Sequence, residues 1–135
     1  MAIKYVVDTH ALIWYLESSP RLGVEAKAVL DDPASNLVLP LIALAEAVDI
    51  VDKRRTKIVS VADLLSDVGK DTRLELQPLD PDVLQMSLFA RAVPEMHDRL
   101  IVAAGLLLQQ QGESVAILTK DVSITTSTLL AVIWD

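Results

Sequence analysis

Asp8 closes the apolar run from Ile3 to Val7, and a segment with helical apolar spacing follows it at once. Three more acids hold comparable positions. Glu46 is the one charged residue between Pro40 and Asp49, in a segment otherwise built of Leu, Ile, Ala and Val. Asp98 falls in the first turn of a helix expected after Val93, Pro94 and Glu95, and Asp121 follows the apolar run 115–118. Singly, each has an ordinary explanation. Asp8 caps a helix, Asp98 gains about 0.3–1 kcal/mol from a helix dipole, Asp121 serves a turn, and Glu46 faces outward.

Together they have a different chemistry. Two carboxylates about 5 Å apart repel by roughly 3 kcal/mol at an effective dielectric near 20. Four converging acids form six pairs, on the order of 10–20 kcal/mol as an upper bound, comparable with the stability of a whole domain. Protonation relieves part of that by raising pKa values. A hard divalent cation with oxygen ligands relieves it too, and Mg²⁺ or Mn²⁺ suits an all-oxygen set.

The elements must bring these acids together. Strands are expected at 3–7, 36–39, 74–79, 114–118 and 129–134, with Pro78 limiting the pairing of the third. Helices are expected at 11–16, 24–30, 41–53, 61–68, 80–92 and 96–111. The start signals are Ser18-Ser19-Pro20, Pro40 and Asp80-Pro81, and the stops are Gly69 and Gly112. Strands alternating with helices imply an α/β fold with a parallel sheet covered on both faces. In such sheets ligands bind beyond the carboxyl ends of the strands, at a switch in strand order. Neighbouring first and fourth strands would set Asp8 beside Asp121.

The chain has 135 residues, 52% of them hydrophobic and 4% aromatic, enough for one domain with an aliphatic core. It has no cysteine, which removes disulfides and thiolate metal sites and suits a reducing cytoplasm. No apolar run approaches the roughly 18 residues needed to cross a bilayer. The formal net charge of −7 argues against a protein that coats nucleic acid, unless cations neutralise an acidic cluster.

The segments Val7-Asp8-Thr9-His10-Ala11-Leu12-Ile13-Trp14, Leu44-Ala45-Glu46, His97-Asp98-Arg99-Leu100-Ile101-Val102-Ala103-Ala104, Leu118-Thr119-Lys120-Asp121 and Val132-Ile133-Trp134 carry a resemblance. In order and spacing they resemble PIN-domain ribonucleases, in particular the VapC-type toxins of toxin–antitoxin pairs. The resemblance covers essentially all of residues 1–135 as a single PIN-like domain. It implies a three-layer α/β sandwich with about five parallel strands flanked by helices. It also implies that Asp8, Glu46, Asp98 and Asp121 form a site for one or two Mg²⁺ or Mn²⁺ ions that hydrolyses RNA. Thr119 matches a position that often supplies a hydroxyl beside the site. The segment 40–43 lacks the serine or threonine often found before the second acid. An RNA substrate, a protein antitoxin, a homodimer and a cytoplasmic location are further implications of the resemblance.

Other residues are open to more than one reading. Glu46 is a metal ligand, a holder of bound water or its base. His97 is a hydrogen-bonded structural histidine rather than an acid–base group, since it points about 100° from Asp98 on a helix. The basic run Lys53-Arg54-Arg55-Thr56-Lys57 is a solvated helix end favoured by the dipole, or an RNA or partner contact. Thr9 and Arg99 touch substrate or finish helix starts, and Trp14 and Tyr15 belong to core or interface. A haloacid-type phosphatase needs a second Asp at position 10, which is His. A receiver-like phosphoacceptor needs an Asp ending the third strand, which has none. A PIN scaffold that only binds RNA or protein is the non-enzymatic alternative.

Overall fold

Val, Ile and Leu dominate the segments that become strands, and in a computed structural model describing residues 2–135 five of them pair in parallel. They are β1 (Ile3–Val7), β2 (Asn36–Pro40), β3 (Leu74–Gln77), β4 (Ser114–Leu118) and β5 (Ala131–Ile133), in the order β3-β2-β1-β4-β5. Chain order runs outward from β1 in one direction, then crosses over to β4 on its other side. The switch point therefore lies between β1 and β4. Their register pairs Val7 with Leu118, so Asp8 and Thr119 leave the sheet side by side.

Seven α-helices flank the sheet among the described residues: α1 (Thr9–Leu16), α2 (Val24–Asp31), α3 (Leu41–Asp52), α4 (Val61–Lys70), α5 (Pro81–Met86), α6 (Met96–Gln110) and α7 (Val122–Ser127). Consecutive residues Val6 and Val7, Leu37 to Leu39, and Ile117 and Leu118 are all buried. Successive strand side chains face opposite ways, so burial of both sets means that both faces are covered. Among the described residues no helix is long and apolar enough to cross a membrane.

Several boundaries depart from the sequence expectation, each for a local reason. Ser18-Ser19-Pro20 does not start α2; the helix begins after Gly23. The N–H groups of Glu25 and Ala26 donate to the carbonyl of Trp134 at 3.0 and 3.1 Å. A carbonyl more than a hundred residues away thus caps the helix, in place of a side chain. Gly69 does not stop α4 but lies in its last turn. β3 ends at Gln77, before Pro78, because proline cannot donate to the ladder. The helix expected at 80–92 breaks into α5 and a 3-10 turn at Ser87–Ala90, where the Ser87 hydroxyl donates back to the Leu84 carbonyl at 2.6 Å. β5 keeps only three of the six residues expected, and α7 was not anticipated.

Gly23 is required by close approach. A Cβ there would stand 2.2 Å from the Trp134 carbonyl oxygen, and that backbone atom cannot swing aside. Gly23→Ala is expected to destabilise the protein by about 1–3 kcal/mol, the usual cost of overpacking, read as a lower midpoint in urea with an unchanged slope.

Candidate active site

The first acid is fixed by the end of β1. The Asp8 N–H donates to the Leu118 carbonyl at 3.2 Å, extending the β1–β4 ladder by one bond. Its side chain then caps α1, with Oδ1 accepting the Thr9 N–H at 2.7 Å. Oδ2 accepts the Thr119 hydroxyl at 2.5 Å, and the same hydroxyl oxygen accepts the Asp121 N–H at 3.0 Å. One hydroxyl therefore ties the ends of both central strands. Asp8 is only 7% exposed. Burial pushes its pKa up, against the bonds from Thr119 and Thr9 and aided by the charge of Glu46.

Asp121 caps α7, with Oδ1 accepting from the Ser123 hydroxyl and the Ile124 N–H. Burial works to raise its pKa, but these hydrogen bonds prevail and hold it below the usual carboxylate range. Asp98 lies in the first turn of α6, where Glu95 accepts its N–H at 2.8 Å. Its carboxyl is pushed up to about 7, first by burial and then by Asp121, Asp8 and Glu95. Glu46 comes from α3. All four acids line one open cavity of about 460 Å³ at the carboxyl ends of β1 and β4.

Four lining residues were not singled out for this role: His10, Trp14, Glu95 and Lys120. The Trp14 ring stands 5.3 Å from that of His10 and 5.9 Å from that of Trp134, with the Lys120 Nζ 5.7 Å from its centroid. Trp14 is thus both packed on the core and part of the cavity wall, whereas Tyr15 packs on the core and does not line the cavity. Glu95 is the N-cap of α6, accepting the Asp98 N–H, and was not expected as a fifth acid. Nothing in the spacing distinguishes a cap facing solvent from one facing other carboxylates.

The remaining residues have structural places. His97 Nδ1 bonds Glu95 at 2.8 Å, and that bond holds the imidazole above its ordinary pKa. His97 does not line the cavity. Thr9 is buried and its hydroxyl donates to the Ala43 carbonyl at 3.4 Å, joining α1 to α3. Arg99 donates to the carbonyls of Val93 and Pro94, fixing the turn before α6.

The donor set fits a hard cation in its chemistry: carboxylate oxygens on all sides and like charges crowded enough to keep one protonated near neutrality. Among the described residues no three His, Cys, Asp or Glu side chains stand ready to enclose an ion. Both Asp8 oxygens and one of Asp121 accept hydrogen bonds, which hold those two acids in place.

Residues 5–124 match the PIN domain. The chain belongs to the PIN-domain family. This PIN domain is similar in fold to VapBC2 from Rickettsia felis bound to a DNA fragment from their promoter, at 16% identity and a TM-score of 0.71, covering 98% of this chain and 99% of that one. It is similar also to FitAcB from Neisseria gonorrhoeae, at 17% identity and a TM-score of 0.63, covering 95% of each chain. A third similarity is to FitAB bound to the IR36 DNA fragment, at 17% identity and a TM-score of 0.54, covering 95% of this chain and 92% of that one. No curated protein matches the sequence. PIN domains are generally nucleases, and PIN nucleases generally use divalent metal ions.

Proposed function

We propose that this PIN domain is a Mg²⁺- or Mn²⁺-dependent endoribonuclease and the toxin of a toxin–antitoxin pair. The observation that carries the reading is that acids at 8, 46, 98 and 121 line one cavity at the sheet's switch point. Asp8, Asp98 and Asp121 would hold the ion or ions, and Glu46 would either join them or take a proton from the attacking water. Thr119 acts through Asp8 and Asp121 by fixing both. A divalent cation, when bound, polarises the phosphoryl oxygen, lowers the pKa of water and stabilises the departing 3′ oxygen. The walls of the cavity orient the substrate and limit its access.

The fold shared with the VapBC2 and FitAB complexes supports a protein antitoxin as partner. Such a partner would lay an amphipathic segment into a groove by the acids. The exposed Leu84, Leu88 and Phe89 on α5 and the turn after it offer a face for homodimerisation. The place of action under this reading is the cytoplasm, where RNA is found.

Purified protein incubated with single-stranded and structured RNA in Mg²⁺, Mn²⁺ or EDTA tests the catalytic reading. Internal cuts that need the metal and stop with chelation are expected. Cutting that ignores EDTA would sink it. The lack of a ready-made three-ligand arrangement favours a second reading, a PIN fold that binds RNA or protein without turnover. Calorimetric Mn²⁺ titration separates the two: no heat of binding at any accessible concentration, with no cleavage, selects the binding module.

A further inference from the structure

Five of the chain's 12 lysines and arginines line two cavities that adjoin the acidic one through shared residues: Arg21, Arg54, Arg55, Lys57 and Lys120. The acidic cavity shares Lys120 with a second, and the second shares Pro20 and Arg21 with a third. In the second, Arg21 and Lys120 are balanced by Glu25 and Asp135. In the third, Arg21, Arg54, Arg55 and Lys57 face one acid, Glu17, whose carboxylate accepts the Lys57 N–H at 2.9 Å. The positive excess therefore collects in the third cavity, where the turn after α1 meets the turn after α3. Among the described residues none of the five cations is in an ion pair.

A helix dipole does not account for this cluster. Backbone N–H groups, not the basic side chains, meet the carbonyls of Val51 and Ile50 at the end of α3: Arg54 N–H donates to Val51 at 2.9 Å and Arg55 N–H to Ile50 at 3.2 Å. That pattern places Arg54 at φ 56°, a position where glycine is the usual residue. Arginine stands there against the backbone's preference. Arg21 comes from a different part of the chain and owes nothing to α3.

We propose that the third cavity is a phosphate-backbone track for the single-stranded RNA whose scissile bond lies at the acids, with Lys120 and Arg21 at the crossing between them. The inference rests on the ribonuclease reading. It explains how a chain of net charge −7 attracts a polyanion: the cations are concentrated beside the cavity rather than spread over the surface.

Anisotropy of a labelled single-stranded RNA, measured in EDTA so that no strand is cut, tests the track apart from catalysis. Arg21→Glu/Arg54→Glu/Arg55→Glu is expected to weaken binding by about a hundredfold. The log–log salt slope should fall by about 2, three contacts at roughly 0.7 each. Arg54→Gly relieves the backbone while removing one charge, so it is expected to melt no lower than wild type and still bind RNA about threefold more weakly. Lys27→Glu, on α2 and lining none of the three cavities, should change affinity less than about twofold. Unchanged affinity and slope in both track variants would overturn the proposal. So would an equal loss with Lys27→Glu. A dinucleotide, whose single phosphodiester bond has no flanking strand to lie along the track, should keep its kcat in the triple variant. Wild type that binds RNA through the track but cuts none would instead fault the catalytic reading.

Discussion

Asp8→Asn is expected to lower the rate of RNA cleavage by at least about a thousandfold, roughly 4 kcal/mol of activation free energy, while leaving the fold intact. The asparagine carbonyl still accepts the Thr9 N–H. Its amide donates to the Thr119 oxygen, which keeps its bond from the Asp121 N–H by using its second lone pair. Stability changes little, because burial already disfavours the charged form of Asp8. What is lost is one of the carboxyl groups lining the cavity. Paired measurements of single-turnover cleavage and thermal melting check this. A variant that melts like wild type and cuts like it would remove Asp8 from the chemistry.

Asp98→Asn is expected to abolish metal-dependent cleavage to a similar degree and yet to stabilise the metal-free protein near neutral pH. The sign follows from its pKa, which rises from an ordinary 3.8 to about 7 on folding. Below the ordinary value both folded and unfolded chains hold the proton. As pH rises toward 7 the unfolded chain releases it first, so stability falls through that window and levels off above it. Buried Asp8 contributes in the same direction. Asp121 and Glu95 are shifted down, and their contributions disappear only at more acid pH. The Asp98 carboxyl is partly exposed to solvent, so the effect is discounted to about 1–2 kcal/mol, or roughly 4–8 °C in melting temperature. Without metal, wild type should therefore melt lower at about pH 8 than at about pH 5, and Asp98→Asn should reduce that difference. Saturating Mg²⁺ should raise the wild-type midpoint and leave the variant's nearly unchanged. A variant that melts lower than wild type at both values would contradict the crowding of charge at this position.

β1, β4 and α6 are legible in the sequence because each is a strong local pattern: two short β-rich runs and a long helical one that stops at Gly112. The strand alternation implies the parallel sheet, and the switch point then places Asp8 beside Asp121. What escapes is set over distance or by competing local bonds. The start of α2 depends on the Trp134 carbonyl, and no local residue announces it. α7 is built of Val, Ser, Ile and Thr, poor helix formers, and holds through the Asp121 cap and the buried Ile124. Of the cavity wall, the four acids stand out as charges at strand ends or in an apolar segment. His10, Trp14, Glu95 and Lys120 sit in contexts equally suited to surface or core.

Crystals of the protein soaked in Mn²⁺ and measured at the manganese absorption edge test the central claim most directly. An anomalous peak is expected within coordination distance, about 2.0–2.3 Å, of carboxylate oxygens from at least two of Asp8, Asp98 and Asp121. Full Mn²⁺ occupancy elsewhere, with no peak in the cavity, would contradict it.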